Sequence, residues 1–142
     1  MVDNIGKIAQ IIGPVVDVHF PKDRPMIQEA LVIEAQGEHK RIVLEVASHV
    51  GLDRVRTIAM SDTAGLSRGE KVSATGAPIS VPVGTEALGR LFNVLGEAID
   101  GKGAISADTK RLPIHRQPPT FEEQTTKAQV FETGIKAIDL IL

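Results

Sequence analysis

The chain contains no cysteine, so disulfides, thiolate metal sites and cysteine nucleophiles are excluded, and the composition fits a reducing compartment. Aromatic residues are almost as scarce. Only 3% of the chain is Phe, Trp or Tyr, which leaves little on which unpaired bases could stack. Charge of either sign is missing as a net quantity: 16 basic residues face 18 acidic ones, a balance of −2. Such a chain has no electrostatic pull toward a polyphosphate backbone or an anionic bilayer, and nucleic acid is not an expected partner. No apolar run approaches the length of about 18 residues that a membrane span needs, so direct membrane insertion is not expected either. The first residues, "MVDNIGKIAQIIGPVV", carry Asp3 and Lys7 and break their apolar run at Gly13-Pro14. That is unlike a secretory h-region or an Arg-rich transit peptide.

What is present reads first as short strands. In "VVDVHF", Val16, Val18 and Phe20 fall on one face and Asp17 and His19 on the other, the period of a half-buried strand. "RIVLEVA" repeats the pattern with Ile42, Leu44 and Val46. Turn clusters separate such runs at Gly13-Pro14, 21–25, 36–39 and 61–70. Six strands are expected, over 5–12, 15–20, 29–35, 41–48, 54–60 and 71–75, and closing them into a barrel would remove exposed edges. The spacing of strands and turns over residues 5–84 is that of a small all-β barrel or sandwich, and the reading taken is a β-barrel module joined to the start of an α/β unit. "TGAPISVPVG" then mixes Pro and Gly with β-branched residues, which suits an extended crossing between units, with a boundary near 76–83.

Beyond that boundary the period changes. Leu88, Leu91, Phe92 and Leu95 are spaced i, i+3, i+4 and i+7, with Thr85 placed to cap and Gly96 to stop. This spacing predicts an amphipathic helix, weakened by Gly89 in its interior. A turn at Asp100-Gly101 follows, then a proline-pinned extended run, "KRLPIHRQPPTFEEQ", with a possible capping box from Thr120 to Glu123. "VFETGIKAIDLIL" reads as a strand turning into a helix capped by Thr133. Its apolar end at Leu142 has no stop signal and no partner face in the chain, which reads as a piece of a longer protein.

The stretch "GEAIDGKG", Gly96 to Gly103, fits G-x-x-x-x-G-K through Lys102 and then offers Gly103 where a phosphate loop has Ser or Thr. A phosphate loop leaves a strand and opens a helix. This one is expected to leave a helix at Gly96 and to form a plain turn, without a hydroxyl ligand for Mg²⁺. His19, His39, His49 and His115 lie on distant segments, with no pair at a metal-ligand spacing. "KRLPIHR", 110–116, has three basic residues but no interleaved aromatic, so a solvated loop or an ion-pairing contact is expected rather than a phosphate patch. Glu122-Glu123 could form an acid/base pair, but adjacent acids in a capping box are ordinary helix-start residues. No residue of the chain is expected to be catalytic, cofactor-binding or metal-ligating.

The blocks "GKIAQIIGPVVDVHFP", "LEVASHVG", "VRTIAMSDTAGLSRGEKVSATGAPISVPVGTEALGRLFNVLGEAIDG", "LPIHRQPPTFEEQ" and "ETGIKAIDLIL" run in order along nearly the whole chain. Together they resemble the β subunit of F-type ATP synthases. Related ATPases of the vacuolar and type III secretion kinds share "VPVG", "LGR" and "DG", while "GPVVDV" and "RTIAM" resemble the β subunit. The resemblance implies a barrel over 1–80 used in hexamer assembly and, over 81–142, the truncated start of an α/β P-loop nucleotide-binding domain. It implies an enzyme making ATP from ADP and phosphate with Mg²⁺, coupled to proton transport. The implied partners are α subunits in an alternating hexamer and a central stalk subunit. The implied location is cytoplasmic, peripheral on the inner face of the bacterial plasma membrane or its organelle equivalent. In the family the phosphate loop and catalytic glutamate lie beyond the segment resembling "TGIKAIDLIL", so ATP, ADP and Mg²⁺ are expected of the full protein and not of these residues, which are expected to be inactive alone. The alternatives are a self-contained, non-enzymatic β-barrel interaction module, or a fragment of another rotary or type III secretion ATPase.

Overall fold

The computed structural model describes residues 4–35, 40–124, 127 and 129–141. Six antiparallel strands close into a barrel: β1 (Ile5–Ile12), β2 (Val15–His19), β3 (Glu29–Ile33), β4 (Ile42–Val50), β5 (Arg54–Ala59) and β6 (Lys71–Pro78). Around the barrel they run β1-β2-β5-β4-β3-β6. The meander β3-β4-β5 is thus inserted between β2 and β6, and β6 closes on β1 through Ile5↔Ser73, Gly6↔Val72 and Lys7↔Lys71. Closure pairs every strand on both sides, so the barrel offers no edge to another chain.

Alternation decides which side chains enter. Val16 and Val18 of β2, Leu31 and Ile33 of β3, Ile42, Leu44 and Val46 of β4, and Val55 of β5 point inward and are buried. With Ile8, Phe20 and Val72 they form one cluster that fills the interior. Removal of each such side chain from water is worth about 1.5–3 kcal/mol, and β-branched residues suit the pleat. The one buried hydroxyl among them, that of Thr57, donates to the Val16 carbonyl at 2.7 Å. Glycine is required at Gly6, where a Cβ would lie 2.8 Å from the His19 carbonyl oxygen and 2.9 Å from the Phe20 ring. The ring lies in the space that a side chain would take, so Gly6 and Phe20 pack as a unit.

The six strands fall where the alternation places them, with ends shifted by a few residues. β3 stops at Ile33 rather than at 35, β4 runs on to Val50, and β6 runs on to Pro78. The expected crossing segment holds a strand of its own, β7 (Ser80–Pro82), which pairs with β8 (Arg111–Pro113) in a separate two-stranded ribbon.

The helix expected over 85–95 does not form. Thr85–Ala87 makes a single 3₁₀ turn preceded by Gly84, Leu88 is extended, and Gly89 adopts φ 67°. Thr85 is therefore inside the turn rather than its cap. Residues 91–99 instead fold back as a small irregular hairpin, with Asn93 N–H donating to Glu97 O and Ile99 N–H to Leu91 O, and a bridge at Phe92↔Ala98. Asn93 explains the outcome. Its side-chain oxygen accepts the Leu95 and Glu97 N–H groups, each at 3.0 Å, offering the backbone partners that a helix would otherwise supply. Downstream, Thr120–Glu123 keeps part of the expected box, the Glu123 carboxylate accepting Thr120 N–H at 3.1 Å ahead of a 3₁₀ turn at Phe121–Glu123. No strand forms over 129–133, and α1 (Lys136–Ile141) is six residues long with none buried. An α/β unit over 81–142 is not visible among the described residues.

Candidate functional site

The nucleotide-loop look-alike is closed on itself. Arg90 donates to both oxygens of Asp100, Nε to Oδ2 at 2.6 Å and Nη2 to Oδ1 at 3.0 Å, and Nη2 also reaches the Gly103 carbonyl at 2.6 Å. Asp100 further accepts the backbone N–H of Lys102 at 3.1 Å and of Leu91 at 3.3 Å. Arg90's hydrogen bond, before any other influence, holds the Asp100 carboxyl well below the usual carboxylate range. Lys102, the residue that would meet phosphate in a working loop, donates instead to the Gly89 carbonyl at 3.2 Å. The turn at Asp100-Gly101 is thus an Asx-type turn clamped by an arginine. Gly96 does not end a helix. It sits at φ 70° against β7, where a Cβ would come within 2.7 Å of Pro82 Cδ and 3.0 Å of Val81 Cα.

Each described histidine has a polar neighbour. His19 pairs with Asp53 at 2.9 Å, His115 with Glu45 at 2.9 Å, and His49 Nε2 lies 2.8 Å from the Pro25 carbonyl oxygen. His39 lies outside the described residues. No group of three or more metal-ligating side chains occurs among those described. In the basic stretch 110–116, Lys110 and Arg116 are exposed while Arg111 and His115 are engaged. Arg111 Nη2 donates to the carbonyls of Ser80 at 2.8 Å and Leu95 at 3.2 Å, and His115 ties the strap to β4 of the barrel. Glu122 and Glu123 are exposed, and Glu123 is engaged at the turn start.

With these residues turned to structural use, the surface remains as the candidate. The Asp17–Arg56 pair lies on the outer wall, both contacts 2.9 Å, and Arg56's hydrogen bond draws the Asp17 carboxyl below its ordinary value although burial opposes this. Around it many large apolar side chains face solvent. Ile12, Ile58 and Leu52 do so on the barrel, and Leu88, Leu91, Val94, Phe121, Val130 and Phe131 beyond it. Past Pro82, Gly96 alone is buried among the described residues. The chain exposes 10578 Å², whereas a compact monomer of its mass exposes about 7,100 Å². The excess goes with the run past His115, in which no described residue is buried.

The barrel is closed, filled with side chains and bordered by uncovered apolar surface. In the comparison with protein families, the model described as ATP synthase alpha/beta family, beta-barrel domain matches residues 8–76. That span begins within β1 and ends within β6, so it takes in nearly the whole barrel. Over those residues the barrel is similar to the beta-barrel domain of that family. No sequence signal separated Arg90, Asn93 and Asp100 from ordinary loop residues, although an Arg ten residues before an Asp-Gly turn is compatible with the clamp that they form.

Proposed function

We propose that this chain is the N-terminal part of the catalytic β subunit of an F-type ATP synthase, an enzyme that makes ATP from ADP and phosphate coupled to proton transport. Its barrel docks beside the barrels of α subunits in an alternating hexamer around a central stalk. Residues 81–142 open the nucleotide-binding domain, whose ATP, ADP and Mg²⁺ are held by residues beyond those given. The assembly is peripheral on the inner face of a bacterial plasma membrane or the organelle equivalent. The observation that carries this reading is the coincidence of the family match, residues 8–76, with the closed barrel. The uncovered apolar surface past Pro82 supports it, since such surface requires a cover.

Sedimentation of the chain mixed with a purified α-type subunit tests the reading. Co-sedimentation in a complex that neither component forms alone is expected; a chain that stays separate at concentrations of about 100 μM overturns it. A self-contained interaction module is the second reading, favoured by the completeness of the barrel core. It predicts no binding of an apolar-surface dye, whereas the exposed residues beyond Pro82 predict strong binding.

A further inference from the structure

The chain holds a single Asp-Gly pair, Asp100-Gly101. At such a pair a polypeptide readily attacks itself: the amide nitrogen that follows the aspartate reaches back to the side-chain carboxyl, and glycine puts no Cβ in the way. A bond forms between that nitrogen and Cγ, the amide proton and the carboxyl hydroxyl depart together as water, and a five-membered succinimide results. Water then opens one of the two ring carbonyls. One opening returns aspartate. The other leaves isoaspartate, whose main chain runs through the side-chain carbons and is longer by one atom.

The turn meets two of the conditions for this reaction. Gly101 is exposed at φ 72°, and a Cβ there would meet nothing within 4 Å among the described residues, so the approach to its nitrogen is open on that side. Asp100 Oδ1 accepts the Lys102 N–H at 3.1 Å, which lays the carboxyl beside the intervening peptide. A third condition, a carboxyl free to turn and carrying a hydroxyl to lose, is denied by Arg90. Its Nε and Nη2 donate to Oδ2 and Oδ1 at 2.6 and 3.0 Å, and Nη2 is itself anchored on the Gly103 carbonyl at 2.6 Å. Two parallel bonds fix the plane of the carboxyl as well as its charge. The pair is sheltered, with the Arg90 side chain 15% exposed and that of Asp100 10%. Because Arg90's hydrogen bond keeps Asp100 ionised far into acid, the hydroxyl that must leave is absent at neutral pH.

We propose that Asp100-Gly101 is a latent modification site, a self-cyclising bond held shut by the fork of Arg90. Arg90 is then a positioning residue for a reaction that the fold prevents. More than one bond depends on it: Asp100 also accepts the Leu91 N–H at 3.3 Å, so isoaspartate would displace the carboxylate that joins the two sides of the turn over 90–103. The protection is a property of this turn alone, independent of the subunit proposed above.

Ageing of the whole chain at neutral pH and physiological temperature tests the proposal, with isoaspartate read by enzymatic carboxyl methylation of the tryptic peptide that ends at Lys102. Folded wild type should accumulate isoaspartate at least about ten-fold more slowly than the same chain in urea, the least expected where hydrogen bonds to a charged group must break first. Arg90→Ala is expected to lose most of that protection. Arg90→Lys, a milder change that keeps the charge without the fork, should lose part of it. Arg111→Ala separates the clamp from general loosening, because it removes the bonds to the Ser80 and Leu95 carbonyls and leaves Arg90 and Asp100 untouched. Its ageing should stay near the wild-type rate. Acceleration in Arg111→Ala equal to that in Arg90→Ala overturns the assignment to Arg90, and full protection in Arg90→Lys overturns the role of the fork. Wild type that ages as fast folded as in urea, or an Arg90→Ala chain that ages no faster than wild type, overturns the proposal outright.

Discussion

At the scale of single residues, resemblance to a phosphate loop is decided by what each group already holds. Lys102 has a backbone carbonyl at 3.2 Å and Asp100 has Arg90, so the charges that might meet a nucleotide are spent inside the turn. Lys102→Ala is accordingly expected to leave calorimetric titration with Mg²⁺ and ADP unchanged, whereas a loss of heat specific to that variant would show a nucleotide site. The two depressed carboxyls set the acid response. Asp17 and Asp100 both ionise more readily folded than unfolded, so the stability they contribute is complete above the unfolded value of about 3.9 and is lost as pH falls through the lower folded values. Melting temperature should therefore be flat from neutrality to about pH 5 and fall below about pH 4. In Asp17→Asn, whose partner Arg56 keeps its charge, the acid-side fall should be shallower. Gly96→Ala introduces a Cβ 2.7 Å from Pro82 Cδ at a left-handed backbone position. Faster amide exchange at Val81 and Val83 of the β7-β8 ribbon should report the displacement, with the barrel's own exchange unchanged.

At the scale of elements, the barrel was legible because a period of two is a local property. Val16, Val18, Ile42, Leu44 and Val46 declare an inward face without knowledge of what lies across the core, and each is buried. Strand ends were less legible, since β6 runs through Gly76 to Pro78 by pairing with Glu29, a contact 49 residues away in sequence. The helix over 85–95 misled for the opposite reason. Its apolar spacing is genuine, but the spacing reports which residues want cover and not what covers them. Leu88, Leu91 and Val94 remain exposed, while Asn93, Arg90 and Asp100 fix the chain through side-chain bonds that carry no period. The exposed apolar surface was hidden for the same reason: Ile12 and Ile58 fall in one cross-strand row only after β2 pairs with both β1 and β5. Gly6 tests how elements meet. Gly6→Val would press on the Phe20 ring and the His19 carbonyl, and a loss of about 1–3 kcal/mol in urea unfolding is expected, the usual cost of overpacking; an unchanged midpoint would show that β1 and β2 can part to admit a side chain.

At the scale of the whole molecule, stability is divided unevenly. The barrel holds the main core cluster, and a smaller cluster of Ala30, Val43 and Ile79 reaches only as far as Leu95. The ribbon β7-β8 is tied back by Ile114 N–H to Ile79 O at 3.0 Å and by the His115–Glu45 contact. After His115 the chain runs exposed, and no described residue from 116 to 141 is buried. Its edges are also blunted: Pro82 and Pro113 lack the N–H that an adding strand would need, so apolar packing rather than strand addition is the route by which this region finds cover. Two consequences separate the halves. Leu44→Ala, in a fully buried barrel position, should cost about 2–5 kcal/mol of global unfolding free energy. Brief trypsin treatment should cut first at Arg116, Lys127 and Lys136 and leave a species containing β1 through β8, because cleavage follows local opening and these sites have little to open. Mass spectrometry of the first product decides the matter. A first cut within 42–59 would mean that the meander opens before the tail does, and the barrel could not then be the stable unit on which assembly builds.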